Sequence, residues 1–256
     1  MTPRVPADGA SLLSVVPVAG DRRRHPAPAH LRFFHGPMDC GKSTLALQVD
    51  HNHSRQGRRG LLLTQGDRSA RPQISSRVGL RRDAVEFGAD TDVRLLVRDR
   101  WATGHRVDYL IVDEAQFLTA GQVDQLAELV DESHVDVYAF GLTTDFRARL
   151  FPGTQRLLEV ADDVQRIQVE VLCWCGAPGL LNARVVDGQL VRQGATVVVA
   201  DTAPTPAPTP NPLPAAGHTS GRTSGPEVHY QVLCRRHHVL GQLGPGAAGP
   251  GQLELP

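Results

Sequence analysis

Residues 36–44 constrain the fold more than any other stretch of this chain. They read Gly-Pro-Met-Asp-Cys-Gly-Lys-Ser-Thr, which fits the pattern G-x-x-x-x-G-K-S, and they lie between an apolar run at 31–34 and a helix-like stretch at 45–53. Two glycines let a backbone turn tightly with its N–H groups aimed at an anion, and the following helix adds the positive end of its dipole. The pattern predicts a phosphate-binding loop between a strand and a helix; a chance match in an irregular loop is the alternative.

Two side chains of this loop have defined chemistry. Lys42 is expected to reach the outer phosphates of a nucleotide, and the hydroxyl of Ser43 is expected to ligate Mg²⁺. Lys42 is also the only lysine in the sequence, because every other basic residue apart from histidine is arginine. A single lysine in this position is difficult to explain as a residue that serves solubility.

A second signal is the stretch 107–114, a β-branched apolar run that ends in two adjacent carboxylates, Asp113 and Glu114. In phosphate-loop proteins an acid at the end of such a strand faces the Mg²⁺ beside the loop hydroxyl, and Asp113 fits that role. Since neighbouring side chains on a strand alternate, Glu114 is expected to point elsewhere and to be free to act as a base. An ordinary acidic pair at the end of a strand is the alternative.

Strand-like and helix-like stretches alternate from 31 to 160. Further strands are predicted at 60–64, 84–87 and 135–141, and helices at 92–101 and 122–130. We therefore predict an α/β fold of the P-loop NTPase type, with a mostly parallel sheet and flanking helices. Short strands with turns at Asp187-Gly188 and Gln193-Gly194 are expected over 184–196.

The ends of the chain and one internal stretch have a different composition. We predict a disordered extension at 1–29, a P-loop ATP-binding domain at 30–165, a small domain at 166–242 that contains the late cysteines and a Pro-rich insert at 203–226, and a disordered tail at 243–256. Lys plus Arg and Asp plus Glu each total 27, so no polyanion-binding surface and no nucleic-acid partner are expected. Without a long apolar run, no membrane partner is expected, and the protein is predicted to be cytoplasmic.

Three of the four cysteines recur late in the chain beside histidines. Cys173, Cys175, Cys234 and His237 form a Cys₃His set, a usual composition for structural zinc. His238 is an alternative fourth ligand. Cys-x-Cys is tighter than the usual zinc spacing, and reduced cysteines without a metal are the other possibility.

Together these features resemble the type II, zinc-containing thymidine kinases over about residues 31–200 and 228–240. The landmarks are residues 36–44, Asp67-Arg68, Ser75-Ser76-Arg77, Asp113-Glu114-Ala115-Gln116-Phe117, Gly141-Leu142, Asp145-Phe146-Arg147, Cys173-Trp174-Cys175-Gly176, Tyr230 and Cys234-Arg235-Arg236-His237. The short Cys-x-Cys is similar to a variant carried by some bacterial members, which favours the zinc interpretation.

The resemblance implies ATP-dependent phosphorylation of the 5′-hydroxyl of thymidine, with Glu114 as general base. It implies ATP contacts from Gly36, Pro37, Met38, Asp39, Cys40, Gly41, Lys42, Ser43, Thr44 and Arg68, and Mg²⁺ ligands from Ser43, Asp113 and Asp67. The nucleoside would be bound by Met38, Phe117, Leu142, Phe146, Arg184 and Tyr230, the last of these on a "lasso" loop whose base is the Zn²⁺ site. Members of the family assemble as homotetramers.

One departure concerns the lasso. Family members usually carry a Gly-Gly pair there, whereas this chain has Ala200-Asp201-Thr202 followed by the Pro-rich insert. The absence of these glycines reduces backbone freedom where the chain should approach the nucleoside. We therefore expect the change to affect the affinity or selectivity for thymidine rather than the fold. A nucleotide-binding paralogue with altered or no kinase activity, and a P-loop ATPase, are the alternative functions.

Overall fold

The computed structural model describes residues 28–65, 72–194 and 228–244. Within these ranges the strands are β1 (Leu31–Gly36), β2 (Gly60–Thr64), β3 (Gln73–Ser75), β4 (Arg81–Asp83), β5 (Val85–Glu86), β6 (Tyr109–Val112), β7 (Asp136–Leu142), β8 (Asp163–Arg166), β9 (Leu181–Val186), β10 (Gln189–Val191) and β11 (Val228–Leu233). The helices are α1 (Lys42–Arg55), α2 (Val93–Ala102), α3 (Ala120–Ser133), α4 (Pro152–Val160) and α5 (Arg235–Leu240), with a short 3₁₀ helix at Ala115–Phe117.

The main sheet has six strands in the order β5-β2-β6-β7-β1-β8, and every neighbouring pair is parallel. All four residues of β6 are buried, as expected for a parallel strand covered on both faces. The predicted α/β fold with a mostly parallel sheet is confirmed.

Alternate residues of the strands bury opposite faces of the sheet. Leu110 and Val112 pack with α2, α3 and α4 in one core, whereas Tyr109 and Ile111 pack with α1 in the other. The predicted helices at 45–53, 92–101 and 122–130 are confirmed as α1, α2 and α3. The side chain of Asp92 caps α2, and Thr119 forms a capping box that starts α3.

A second sheet, in the order β10-β9-β11, is antiparallel and lies late in the chain. The predicted turn at Asp187-Gly188 is confirmed, since it joins β9 to β10 with positive φ at both residues (+49° and +75°). The antiparallel pair β3–β4, the helix α4 and the edge strand β8 were not predicted.

Several predictions fall on residues that the structure does not describe. They are the extension as far as residue 27, the Asp67-Arg68 pair, the Ala200-Asp201-Thr202 stretch, the insert at 203–226 and the tail from 245. The division into domains remains a prediction. Over the described ranges, no helix combines the length and apolar character that crossing a bilayer requires.

Candidate active site and metal centre

The phosphate loop connects β1 to α1, as its sequence predicts. Gly41 adopts a left-handed conformation (φ +82°) immediately before the helix, and no side chain among the described residues caps the first turn of α1. The buried Lys42 ammonium donates a 2.7 Å hydrogen bond to the carbonyl oxygen of Pro37. At the tip of the loop Asp39 pairs with Arg77 at 2.6 Å. The helix N-terminus and the ammonium together favour a bound phosphate.

Ser43 and Asp113 meet across the carboxyl ends of the sheet. The Ser43 hydroxyl donates to Oδ2 of Asp113 at 2.8 Å, although the two residues follow different strands. Burial raises the pKa of Asp113 to about 7, and the charge of Glu114 adds to the rise, against the hydrogen bond from Ser43. A buried carboxylate and a hydroxyl in contact are suitable ligands for Mg²⁺, whose charge would favour the ionised form.

The prediction that strand alternation turns the Glu114 side chain away from Asp113 rested on both residues belonging to the strand. The strand ends at Val112, so the alternation of side chains on a strand does not apply to Asp113 and Glu114. Glu114 instead has a left-handed backbone (φ +57°), and its N–H donates to Oδ1 of Asp113 at 3.1 Å. This turn, rather than the pleat of the strand, sets the direction of the Glu114 carboxylate.

Gln116 is a site residue that sequence reasoning did not assign. Its Nε2 donates to Oε2 of Glu114 at 2.5 Å, and its Oε1 accepts from the backbone N–H of Leu142 at 2.9 Å. The Asp-Glu-x-Gln-Phe stretch contains the residue, but the second contact depends on β7 lying beside β6 in the sheet. Only the fold brings the two ends of this bridge together.

Three of the predicted nucleoside-binding residues form one cluster. The guanidinium carbon of Arg184 lies 3.8 Å from the centre of the Phe146 ring, and Nε donates to the Tyr230 hydroxyl at 3.1 Å. Arg184 and Tyr230 are direct partners in the β9–β11 register. Leu142 ends β7, and Phe117 packs edge-on against Phe151, with ring centres 5.7 Å apart.

Asn182 connects the small sheet to the phosphate loop and was also missed. Its Oδ1 accepts a 2.8 Å hydrogen bond from the backbone N–H of Met38, and its Nδ2 donates to the Thr144 carbonyl at 3.5 Å. Met38 is therefore held through its backbone by a residue 144 positions away. No sequence pattern marks an asparagine in a strand for this contact.

The four predicted zinc ligands converge. The ligand atoms of Cys173, Cys175, Cys234 and His237 all lie within 4.8 Å of one another. A tetrahedral zinc ion with Zn–S bonds of about 2.3 Å holds its ligand atoms roughly 3–4 Å apart, so this donor set fits Zn²⁺. The Trp174 indole stacks on the His237 ring with centres 4.2 Å apart.

His238 does not join this group. Its ring is buried, and Nε2 lies 3.0 Å from the carbonyl oxygen of Phe146, which fixes Nε2 as the hydrogen-bond donor. The alternative in which His238 supplies the fourth ligand is therefore wrong. Adjacent histidines on α5 therefore have different contacts, one within the Cys₃His cluster and one with the segment that carries Phe146.

A phosphate loop, a serine–aspartate pair at the carboxyl ends of a parallel sheet and a Cys₃His cluster define a phosphate-loop protein of the nucleotide-binding class, with a donor set that could hold a zinc ion. A family model described as "Thymidine kinase" matches residues 29–202. The chain belongs to the thymidine kinase family.

Individual relatives agree with this assignment. A thymidine kinase of Streptomyces coelicolor is 53% identical over 208 residues, which cover 81% of this chain and 88% of that protein. One from Streptomyces avermitilis is 50% identical with the same coverage, and one from Cutibacterium acnes is 47% identical over 216 residues, or 84% and 91% of the two chains.

Proposed function

We propose that this protein transfers the γ-phosphoryl group of ATP to the 5′-hydroxyl of thymidine, as part of cytoplasmic nucleotide salvage. The observation that carries the proposal is the contact between Ser43 and Asp113, with Glu114 beside it, within a chain of the thymidine kinase family. Phosphoryl transfer mainly requires positioning and neutralisation of charge, and this group of residues supplies both.

Each residue has a defined part in this mechanism. The loop N–H groups and Lys42 bind the phosphates, and Ser43 and Asp113 would hold Mg²⁺, which neutralises charge on the phosphates. Glu114 accepts the proton of the 5′-hydroxyl as the P–O bond to the acceptor forms. From the family resemblance, Asp67 is assigned to Mg²⁺ and Arg68 to the phosphates.

The nucleoside would lie against the cluster formed by Phe146, Arg184 and Tyr230, with Met38, Phe117 and Leu142 completing the pocket. The Arg184 guanidinium stacks on Phe146 and bonds to Tyr230, so these side chains form a preorganised wall. The Cys₃His cluster would hold a structural Zn²⁺ that ties β11 and α5 to the strand-like segment around Cys173. We also propose a homotetramer, on the family resemblance alone.

The test is a phosphoryl-transfer assay of the purified chain with ATP and Mg²⁺, offering thymidine, deoxyuridine and deoxycytidine in parallel. We expect dTMP from thymidine at the highest kcat/KM. Turnover of ATP without any nucleoside monophosphate would overturn the kinase assignment and favour an ATPase.

The role of Glu114 is tested by Glu114→Gln, which keeps the shape of the side chain and removes the base. We expect kcat to fall by about 10²- to 10⁴-fold, the usual contribution of general base catalysis. Glu132→Gln on the exposed face of α3 is the matched control and should retain the wild-type rate. A full rate in Glu114→Gln would contradict the base assignment.

A further inference from the structure

We propose that Gln116 is a positioning residue that aims the carboxylate of Glu114 and ties it to the carboxyl end of β7. The proposal rests on the proposed function, because it requires Glu114 to be the group that accepts the proton. It adds a role for a side chain to which the proposed mechanism assigns no contact with substrate or metal.

The orientation of the Gln116 amide follows from its partners. The Leu142 N–H can only donate, so the atom 2.9 Å from it must be the amide oxygen. The amide NH₂ must then face Glu114, where Nε2 lies 2.5 Å from Oε2. A flipped amide would place NH₂ against N–H and oxygen against carboxylate, which leaves both contacts repulsive. The bridge therefore has one orientation.

Burial makes this bridge strong and rigid. Gln116 is 1% exposed, and a buried amide without partners would be strongly unfavourable. A hydrogen bond to a carboxylate is stronger than one between neutral groups. Leu142 is itself held on its other side, because its carbonyl accepts a 2.7 Å hydrogen bond from the Thr154 hydroxyl on α4. The base is thus connected through Gln116 to a fixed point of the sheet.

The 3₁₀ helix that carries Gln116 is packed closely against α4. A Cβ atom added to Gly153 would lie 2.6 Å from the Leu118 carbonyl oxygen and 2.7 Å from that of Ala115. Both distances are too short for a real Cβ, so only glycine allows this approach. Because Thr154 of α4 bonds to Leu142 at the end of β7, this close packing holds the 3₁₀ helix beside β7.

Glu114 needs such a support. Its side chain has three rotatable bonds and is only half-buried, and its backbone is in a left-handed conformation that few glutamates adopt. A displacement of about 1 Å in a catalytic group can reduce a rate by about 10²-fold. The bridge also connects the base to Leu142, a residue of the proposed nucleoside pocket. The carboxylate and the pocket wall would therefore keep a fixed spacing.

The test is a double-mutant cycle. Gln116→Met keeps the length of the side chain and removes both hydrogen bonds. We expect kcat to fall about 10- to 100-fold, with KM for ATP changed less than about twofold. In a Glu114→Ala background, where no carboxylate remains to be aimed, Gln116→Met should cause no further loss of kcat in single-turnover measurements.

Gln122→Met is the matched control. Gln122 is another buried glutamine on the next element, and its amide bridges Thr119, Gly88 and Thr91 away from Glu114. Gln122→Met should lower the melting temperature about as much as Gln116→Met does, while its kcat stays within about twofold of wild type. If Gln116→Met does not fold, Gln116→Glu replaces it, since the glutamate keeps the acceptor for Leu142 and loses the donor to Glu114.

The outcomes separate the two proposals. An equal fold-loss from Gln116→Met in both backgrounds would mean a merely structural role and would overturn the positioning proposal. A Glu114→Ala enzyme with the wild-type rate would instead overturn the base assignment on which it rests.

Discussion

The Oδ1 atom of Asn182, on the small antiparallel sheet, accepts a 2.8 Å hydrogen bond from the backbone N–H of Met38 in the phosphate loop. Because a backbone N–H can only donate, this contact fixes the asparagine amide, and its NH₂ group faces the Thr144 carbonyl. One side chain thereby joins the loop that would bind phosphate to the sheet that carries Arg184 and Tyr230.

Asn182→Leu should weaken this connection. The variant leaves the partly buried N–H of Met38 without its acceptor, so the free energy of unfolding should fall by about 1 kcal/mol, and KM for ATP should rise. Urea denaturation and steady-state kinetics measure the two effects. Asn52→Leu, at an exposed position of α1, is the control and should change stability by no more than about 0.5 kcal/mol. Equal behaviour of the two variants would contradict the connection.

Asp113→Asn should stabilise the metal-free protein at alkaline pH while abolishing activity. The folded-state pKa of about 7 lies above the ordinary value of 3.8, so the stability associated with this carboxyl is complete below pH 3.8 and is lost as the pH rises to about 7. In EDTA the melting temperature of the variant should exceed that of wild type by several degrees at pH 8, and by less at pH 5. A difference that grows towards pH 5 would contradict the assignment.

His237→Asn and His238→Asn form a matched pair on adjacent residues of α5. Only His237 lies in the Cys₃His cluster, so His237→Asn should lower the zinc content measured by elemental analysis, as Cys173→Ser should. His238→Asn should retain zinc and lose its hydrogen bond to Phe146, which should raise KM for thymidine. Loss of zinc in both variants, or in neither, would count against this division of roles.

Protonation of His53 in mild acid should lower the free energy of unfolding. Arg58 donates to its Nδ1, so the ring is neutral and its Nε2–H donates to the Tyr138 hydroxyl. Burial lowers the pKa of His53 below 6.5, and the charge of Arg58 adds to this effect. The stability due to the neutral ring is therefore complete above pH 6.5 and is lost as the pH falls below it.

His53→Gln keeps a donor and an acceptor but does not titrate. Its free energy of unfolding should fall less than that of wild type between pH 7 and pH 5. His51→Gln, at an exposed position of the same helix, should follow the wild-type curve. If His53→Gln and wild type show parallel curves, protonation of His53 does not contribute.

Elements that a few consecutive residues define could be predicted from the sequence. They include the phosphate loop, the buried strand before Asp113 and the turn at Asp187-Gly188. The edge strand β8 was missed because three of its four residues are exposed, and it lacks the apolar run of a central strand. The hairpin β3–β4 was missed for the same reason, because its two strands are short and mostly polar.

The site could be predicted only as far as single residues have recognisable roles. Lys42, Ser43 and Asp113 belong to motifs whose chemistry fixes their spacing, and the four residues of the Cys₃His cluster are of the types that zinc sites use. Gln116 and Asn182 accept hydrogen bonds from backbone N–H groups of distant segments. Strand order and register decide which segments those are. The sequence favoured His237 over His238 as the fourth member of the cluster, and the direction of each ring in the structure decides between them.

The Trp174 indole stacks on the His237 ring of the Cys₃His cluster, which places a fluorescent side chain against a candidate metal ligand. The sequence has two tryptophans, and the other, Trp101, lies at the end of α2 in a different part of the fold. Indole emission responds to the charge and electron density of a ring in contact with it, so binding of a cation to His237 should change the Trp174 signal. The intact protein thus carries an intrinsic fluorophore with which metal uptake and release could be followed in real time.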